Sequence, residues 1–270
     1  MKTNERVNCI LNWMKQYCHS VKYQPVTLVI GVSGGVDSAV TSTLAANTGF
    51  NTIAVSMPIM QNSEQHDLSL RHLEWLKSNF NNVITKVVNL DEIFSSFKKT
   101  MHEFDNNLAF ANSRSRLRMV ILYQIAQSNK GLVVGTGNKV EDFGVGFFTK
   151  YGDGGVDISP LADCTKTQVW EMASEMSIIQ DIIDAQPTDG LWEDNRNDER
   201  QLGMTYKQIE EAMTAMEPMV FKNPYGSPTA GGYVGTPTFA SVQAVEWTFN
   251  PAPLLLIAAS IGVYYAAVKA

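Results

Sequence analysis

Residues 31–38 read Gly31-Val32-Ser33-Gly34-Gly35-Val36-Asp37-Ser38 and follow directly on an apolar run, Val26 to Ile30. At a strand-to-helix junction, glycines let backbone N–H groups approach a phosphate, and the helix N-terminus adds partial positive charge. Gly31, Ser33, Gly34, Gly35 and Ser38 are therefore candidate phosphate-cradling positions. No lysine follows the second glycine, so the loop is neither GxxxxGK[ST] nor the GxGxxG dinucleotide fingerprint. Asp37 would repel phosphate unless a divalent cation lay between them, and a hard oxygen ligand beside a phosphate cradle suits Mg²⁺. The competing reading is a Gly/Ser-rich turn in which Asp37 only favours the helix dipole.

A second cluster runs from Gly135 to Asp142 and from Gly146 to Leu161. Thr136 follows the apolar Leu132-Val133-Val134, where ligands of open α/β sheets collect. Glu141 is a second hard ligand that with Asp37 could hold magnesium; the alternative is a solvated surface acid. Lys166 falls near the start of a predicted helix, where the dipole disfavours a cation, and makes better sense facing a phosphate. Lys150 and Asp157 flank a Gly-rich stretch, and Thr188, after Pro187, suits a turn or cap equally well. Arg116 and Arg118 lie two residues apart on a predicted helix and so point to different faces, with Arg118 read as an ordinary surface charge. His19, His66 and His72 fall on predicted helices without a carboxylate or cysteine partner in view, and His102 beside Glu103 shows no ligand spacing. Phe147, Phe148 and Trp192 could line a nucleotide pocket or pack the loop.

The elements that must position these residues alternate. Residues 26–32, 53–57, 83–90 and 132–135 read as strands; 4–20, 38–47, 63–79, 91–104, 114–127, 165–176 and 204–213 read as helices. In 91–104 the spacing places Ile93, Phe94, Phe97, Met101 and Phe104 on one helical face. Such alternation predicts an α/β fold with a doubly wound parallel sheet flanked by helices. Residues 136–160 are too long and too chemically loaded for an ordinary connector and read as an active-site loop, while 187–200 is a polar excursion.

Composition bounds the function classes. The chain has 270 residues, 44% hydrophobic and 18% charged, which permits a real core and argues against disorder. Its net charge of −6 is the wrong sign for a nucleic-acid backbone partner. Cys9, Cys18 and Cys164 show neither CxxC spacing nor a histidine ladder, so they read as reduced cysteines in a cytoplasmic protein. The N-terminus lacks the apolar run of a secretory signal.

SGGVDS at 33–38 resembles the pyrophosphate loop of the ATP pyrophosphatase superfamily, whose members cleave ATP between the α and β phosphates and adenylate a substrate oxygen. The second cluster, together with Arg114 to Met119, Lys166 and Pro187 to Trp192, is similar to the signature of ammonia-dependent NAD synthetase over about residues 5 to 213. The resemblance implies a three-layer α/β/α, adenine nucleotide alpha hydrolase-like fold. It implies a ligase that adenylates the nicotinate carboxylate of deamido-NAD with ATP and lets ammonia displace AMP, in a homodimer whose interface helps form the dinucleotide site. By the same resemblance Gly31, Ser33, Gly34, Gly35, Asp37, Ser38, Thr136, Lys166 and Thr188 contact ATP. Arg116, Lys150 and Asp157 contact deamido-NAD, Asp37 and Glu141 hold Mg²⁺, and Asp37 and Lys166 carry the chemistry. Other adenylating pyrophosphatases and a non-catalytic ATP-binding module remain as alternatives.

The resemblance ends where the composition changes. Residues 1–213 read as the synthetase-like domain and 214–270 as an atypical tail lacking the family's C-terminal His-Lys pair. Leu254 to Val268 is uncharged for fifteen residues, short of the roughly twenty that span a bilayer, so a membrane anchor is disfavoured.

Overall fold

The apolar run at 26–32 forms β1 (Thr27–Gly31), and its neighbours explain its composition. The structure, a computed structural model, describes residues 1–22, 24–60, 63–188 and 198–220, without the side chains of 63–65 and 216–220. β1 pairs in parallel with β2 (Asn51–Ser56) on one side and β4 (Gly131–Val133) on the other, and β2 pairs in parallel with β3 (Val83–Val87). The order is β3-β2-β1-β4.

The helices are α1 (Thr3–Ser20), α2 (Val36–Asn47), α3 (Ser63–Asn79), α4 (Asp91–Thr100), α5 (Asn107–Ser128), α6 (Lys166–Glu175), α7 (Gln180–Asp184), α8 (Asp198–Leu202) and α9 (Tyr206–Val220). Leu28 and Ile30 of β1 pack with Met14 of α1, Leu44 of α2 and Met172 of α6. Val29, pointing the other way, packs with Phe94 of α4 and with Phe110 and Leu122 of α5. Helices therefore cover both faces, which is why Leu28, Val29 and Ile30 are apolar in succession rather than alternating. Each of the three side chains is fully buried, and burial contributes about 1.5–3 kcal/mol apiece. α2 is buried almost all round, from Val36 to Ala46, so the loop that opens it stands on a rigid base.

The 91–104 and 136–160 segments differ from the sequence reading. The 91–104 segment breaks after Thr100 and resumes as a 3₁₀ turn, His102–Phe104, leaving Ile93, Phe97 and Phe104 exposed. Phe94 alone of α4 is fully buried, ring to ring with Phe97 and Phe110 at 6.2 and 6.3 Å. The 136–160 loop contains a π-helical turn, Lys139–Val145, and an isolated parallel bridge from Ile158 to Val134, just past the end of β4.

The chain divides into two units, Met1–Asp198 and Glu199–Ala270. In the second, α9 is capped reciprocally by Thr205 and Gln208 and runs past 213 to Val220. Residues 189–197, with Trp192, and the apolar stretch 254–268 lie outside the described residues. Among the described residues no helix is long and apolar enough to cross a membrane.

Candidate active site

The loop after β1 is held by its own hydroxyls. Gly34 sits at φ +94, a region that L side chains rarely adopt. Ser38 Oγ accepts from the Ser33 N–H at 3.2 Å and donates to the Gly35 carbonyl at 2.9 Å, while the Gly35 N–H donates to Ser33 Oγ at 3.3 Å. Gly35 caps α2 without a side chain, and Ser33 and Gly35 face solvent. This leaves a strand-to-helix turn whose small residues Ser33 and Gly35 are exposed at a helix N-terminus, the arrangement that accepts a phosphate.

Because β1 and β4 are neighbours in register, the loops after them emerge side by side at the carboxyl end of the sheet. Asp37, in the first turn of α2, and Glu141, in the π-helical turn, thereby meet. Lys166 Nζ is 2.5 Å from Asp37 Oδ2 and 2.8 Å from Glu141 Oε1, and the lysine is only 2% exposed. It is the first residue of α6, whose start is fixed by a capping box between Thr165 and Gln168. Burial alone would lower the Lys166 ammonium, but the two carboxylates more than offset this and hold it above the ordinary lysine range. Burial raises the Asp37 carboxyl, with the Lys166 ammonium opposing it. The neighbouring Asp142 carboxyl is pushed up to about 8 by burial, with Asp153, Glu141 and Asp37 adding to the effect.

Sequence reasoning missed Asn138. It is fully buried, its Oδ1 accepts from the N–H groups of Val140 and Glu141 at 3.0 and 3.1 Å, and its Nδ2 donates to Asp37 Oδ1 at 3.0 Å. An Asn just before a helical turn is a cap signal, but the partner 101 residues upstream is not visible in sequence.

The residues expected to hold a dinucleotide form a second group. Arg116 is exposed, and its Nε donates to the Lys150 carbonyl at 3.0 Å; Lys150 Nζ lies 5.2 Å from the Tyr151 ring centre. Their loop is clamped to α5: Ser115 Oγ donates to Asp153 Oδ1 at 2.5 Å, and Thr149 Oγ1 donates to Asn112 Oδ1 at 2.7 Å. Asp157 accepts from Tyr123 Oη at 3.0 Å and from the Val133 N–H at 2.8 Å, so it also ties the loop to α5 and β4. Thr136 is half-buried, one residue after Gly135, whose N–H donates to the Ile158 carbonyl at 2.7 Å. Thr188 is half-buried beside Pro187.

The match to known proteins is extensive. A family model described as NAD synthase covers residues 6–224. The chain belongs to the NAD synthase family. A protein of Carboxydothermus hydrogenoformans named NH(3)-dependent NAD(+) synthetase is 37% identical over 218 residues, 79% of this chain and 86% of that protein. A protein of the same name from Mesoplasma florum is 38% identical over 214 residues, 78% of this chain and 84% of its own. A solved NMN synthetase from Francisella tularensis superposes with TM-score 0.73 at 32% identity, covering 80% of this chain and 87% of that one. As a member of the NAD synthase family the chain is a carbon–nitrogen ligase with ATP as co-substrate.

Other NAD synthase residues take structural places. Arg118, read as a surface charge, is largely buried: its Nε donates to the Met57 carbonyl at 3.0 Å, and burial, with Arg114 nearby, pushes its guanidinium down to about 10. Its face of α5 turns toward the end of β2, whereas Arg116 turns to the loop. Phe148 packs on Gly154, where a Cβ would come within 2.4 Å of the ring. His72 is wholly buried, with Nε2 3.0 Å from Ser42 Oγ and its ring stacked on Trp75 at 5.5 Å. His19 rests against Phe50, and His102 Nδ1 lies 3.1 Å from the Lys99 carbonyl.

Proposed function

We propose that this chain amidates deamido-NAD to NAD with ammonia, through an adenylated carboxylate, releasing pyrophosphate and AMP. The observation that carries the reading is the convergence of Asp37 and Glu141 on the Lys166 ammonium beside the SGGVDS loop, in a chain of the NAD synthase family.

The loop N–H groups and the α2 N-terminus receive ATP phosphate, with Thr136 and Thr188 as further ATP contacts. Arg116, Lys150 and Asp157 orient the dinucleotide so that its nicotinate carboxylate oxygen reaches the α-phosphorus. That oxygen forms the new P–O bond as the bond to pyrophosphate breaks. Lys166 offsets charge developing on the phosphoryl oxygens and the leaving pyrophosphate. Ammonia then bonds to the carboxyl carbon, the C–O bond to AMP breaks, and the nitrogen loses a proton. No covalent enzyme intermediate is needed, so catalysis is positioning plus charge stabilisation.

Asp37 and Glu141 supply hard carboxylate oxygens beside the phosphate loop, both paired with the Lys166 ammonium, and since one or two carboxylates plus substrate phosphates is the usual Mg²⁺ environment, these two residues would hold the ion. When bound, Mg²⁺ supplies positive charge to the phosphate oxygens. Residues 1–213 form the synthetase domain of this reading and 214–270 its divergent tail. The resemblance to ammonia-dependent NAD synthetases adds a homodimer with the dinucleotide site at its interface, which would cover exposed side chains such as Val120 of α5 and Tyr151.

Similarity to an NMN synthetase favours a second reading, in which the substrate is the deamido mononucleotide. One assay decides between them. The purified chain is given ATP, Mg²⁺ and ammonium with either deamido-NAD or nicotinate mononucleotide, and AMP, pyrophosphate and amide product are measured. NAD formation at the higher kcat/KM supports the first reading, and preferential NMN formation the second. ATP binding without turnover of either sinks both and leaves a binding module.

A further inference from the structure

We propose that Asn138 is a positioning residue for this amidation, holding the carboxylates of Asp37 and Glu141 in a fixed mutual orientation. The inference rests on the function proposed above and adds a residue and a division of labour to it. Asp37 comes from the first turn of α2 and Glu141 from the π-helical turn, and these two segments share no backbone hydrogen bond with each other among those described. Asn138 bridges them. Its carbonyl oxygen caps the turn that carries Glu141, and its amide N–H donates to Asp37 Oδ1, which leaves Oδ2 directed at Lys166. The amide orientation follows from the partners, since two N–H groups face one of its atoms and a carboxylate faces the other.

The residue type follows from the task. A buried group between a turn's N–H donors and a carboxylate must accept on one side and donate on the other without adding charge. A primary amide does both. Aspartate would present a carboxylate to Asp37, and serine would cap the turn but stop short of it. The backbone at this point is pinned as well: the Lys139 N–H donates to the Cys164 carbonyl at 2.8 Å, and the Asp142 N–H to the Asn138 carbonyl at 3.1 Å. The Asn138 side chain is thus fixed relative to both the segment before α6 and the turn, and passes that position to Asp37. It touches the Asp37 carboxylate and the Glu141 backbone N–H, not the reacting atoms. Outer partners that orient metal-binding carboxylates typically contribute about ten- to hundredfold in metal affinity or activity.

The test compares Asn138→Ser, which keeps the cap and loses the donor to Asp37, with Asn138→Ala, which loses both. Two readouts accompany turnover: the melting temperature, and the Mn²⁺ dissociation constant in the presence of α,β-methylene-ATP, read from free Mn²⁺ by electron paramagnetic resonance. Asn138→Ser is expected to melt like the parent, bind Mn²⁺ at least about tenfold more weakly and lose about ten- to hundredfold in kcat. Asn138→Ala is expected to add a loss of melting temperature. Parental Mn²⁺ affinity and kcat in Asn138→Ser would overturn the proposal, as would losses of activity and melting temperature together at unchanged Mn²⁺ affinity. A parent chain that neither releases pyrophosphate nor binds Mn²⁺ with the analogue would instead overturn the functional reading itself, and this inference with it.

Discussion

Lys166 Nζ lies 2.5 Å from Asp37 Oδ2 although 129 residues separate them in the chain, and the same ammonium is shared with Glu141. Removing it takes away the ammonium that these two part-buried carboxylates share. Lys166→Met is therefore expected to lose about 3–5 kcal/mol of stability in urea unfolding. Pyrophosphate release should fall by about 10²–10³. A variant as stable as the parent would mean that the cluster relaxes away from its observed geometry.

Asp37→Asn separates chemistry from folding. Lys166 keeps Glu141 as a partner, so thermal unfolding should change little. Pyrophosphate release should drop by at least about 10², the upper end of losing an outer partner of a metal site, because Asp37 is one of the two carboxylates that would hold the cation against the phosphates. Release at the parental rate in a quenched assay with labelled ATP would remove Asp37 from the reaction.

The clamp between α5 and the 149–155 loop can be tested at Gly152. A Cβ there would sit 2.2 Å from Ser115 Oγ and 2.9 Å from Ser115 Cβ, so Ser115 must move and its bond to Asp153 with it. Gly152→Ala is expected to cost about 1–3 kcal/mol, the usual range for overpacking. Steady-state kinetics should show a higher KM for deamido-NAD and a nearly constant KM for ATP, because the loop carries Lys150 and not the phosphate turn. Equal effects on both would contradict the division of the site into two groups.

His72 predicts an acid sensitivity. Burial pushes its imidazole down from the ordinary 6.5 to about 4, so the folded protein holds it neutral while the unfolded chain takes up a proton below about pH 6.5. Its contribution to stability is thus present above pH 6.5 and is lost as the pH falls toward 4. Between pH 7 and 5 the loss should be about 2 kcal/mol. His72→Gln should be less stable at pH 7 yet show a shallower decline in urea midpoints over that range. Parallel pH profiles for parent and variant would show that His72 is solvated instead.

Much of the fold is legible in sequence because its signals are local. The centre of β1, Leu28 to Ile30, is apolar in succession since both its faces are covered, and SGGVDS reads as a phosphate turn because the strand before it and the helix after it are contiguous with it. The break after Thr100 was not legible. Apolar spacing predicts a continuous face through Phe104, but only Phe94 of α4 becomes fully buried, so packing does not extend the helix. Arg118 misleads for a related reason: spacing separates it from Arg116 but cannot say which of the two faces is covered.

The sequence by itself determined the residue types, the local turns and the family resemblance that marked Asp37, Glu141 and Lys166. Only the tertiary structure decided that these three meet and that Asn138 joins two of them. The physical reason is the strand order. Placing β4 directly beside β1 brings two loops about a hundred residues apart to one end of the sheet, and no local hydrophobic period or turn chemistry encodes that adjacency.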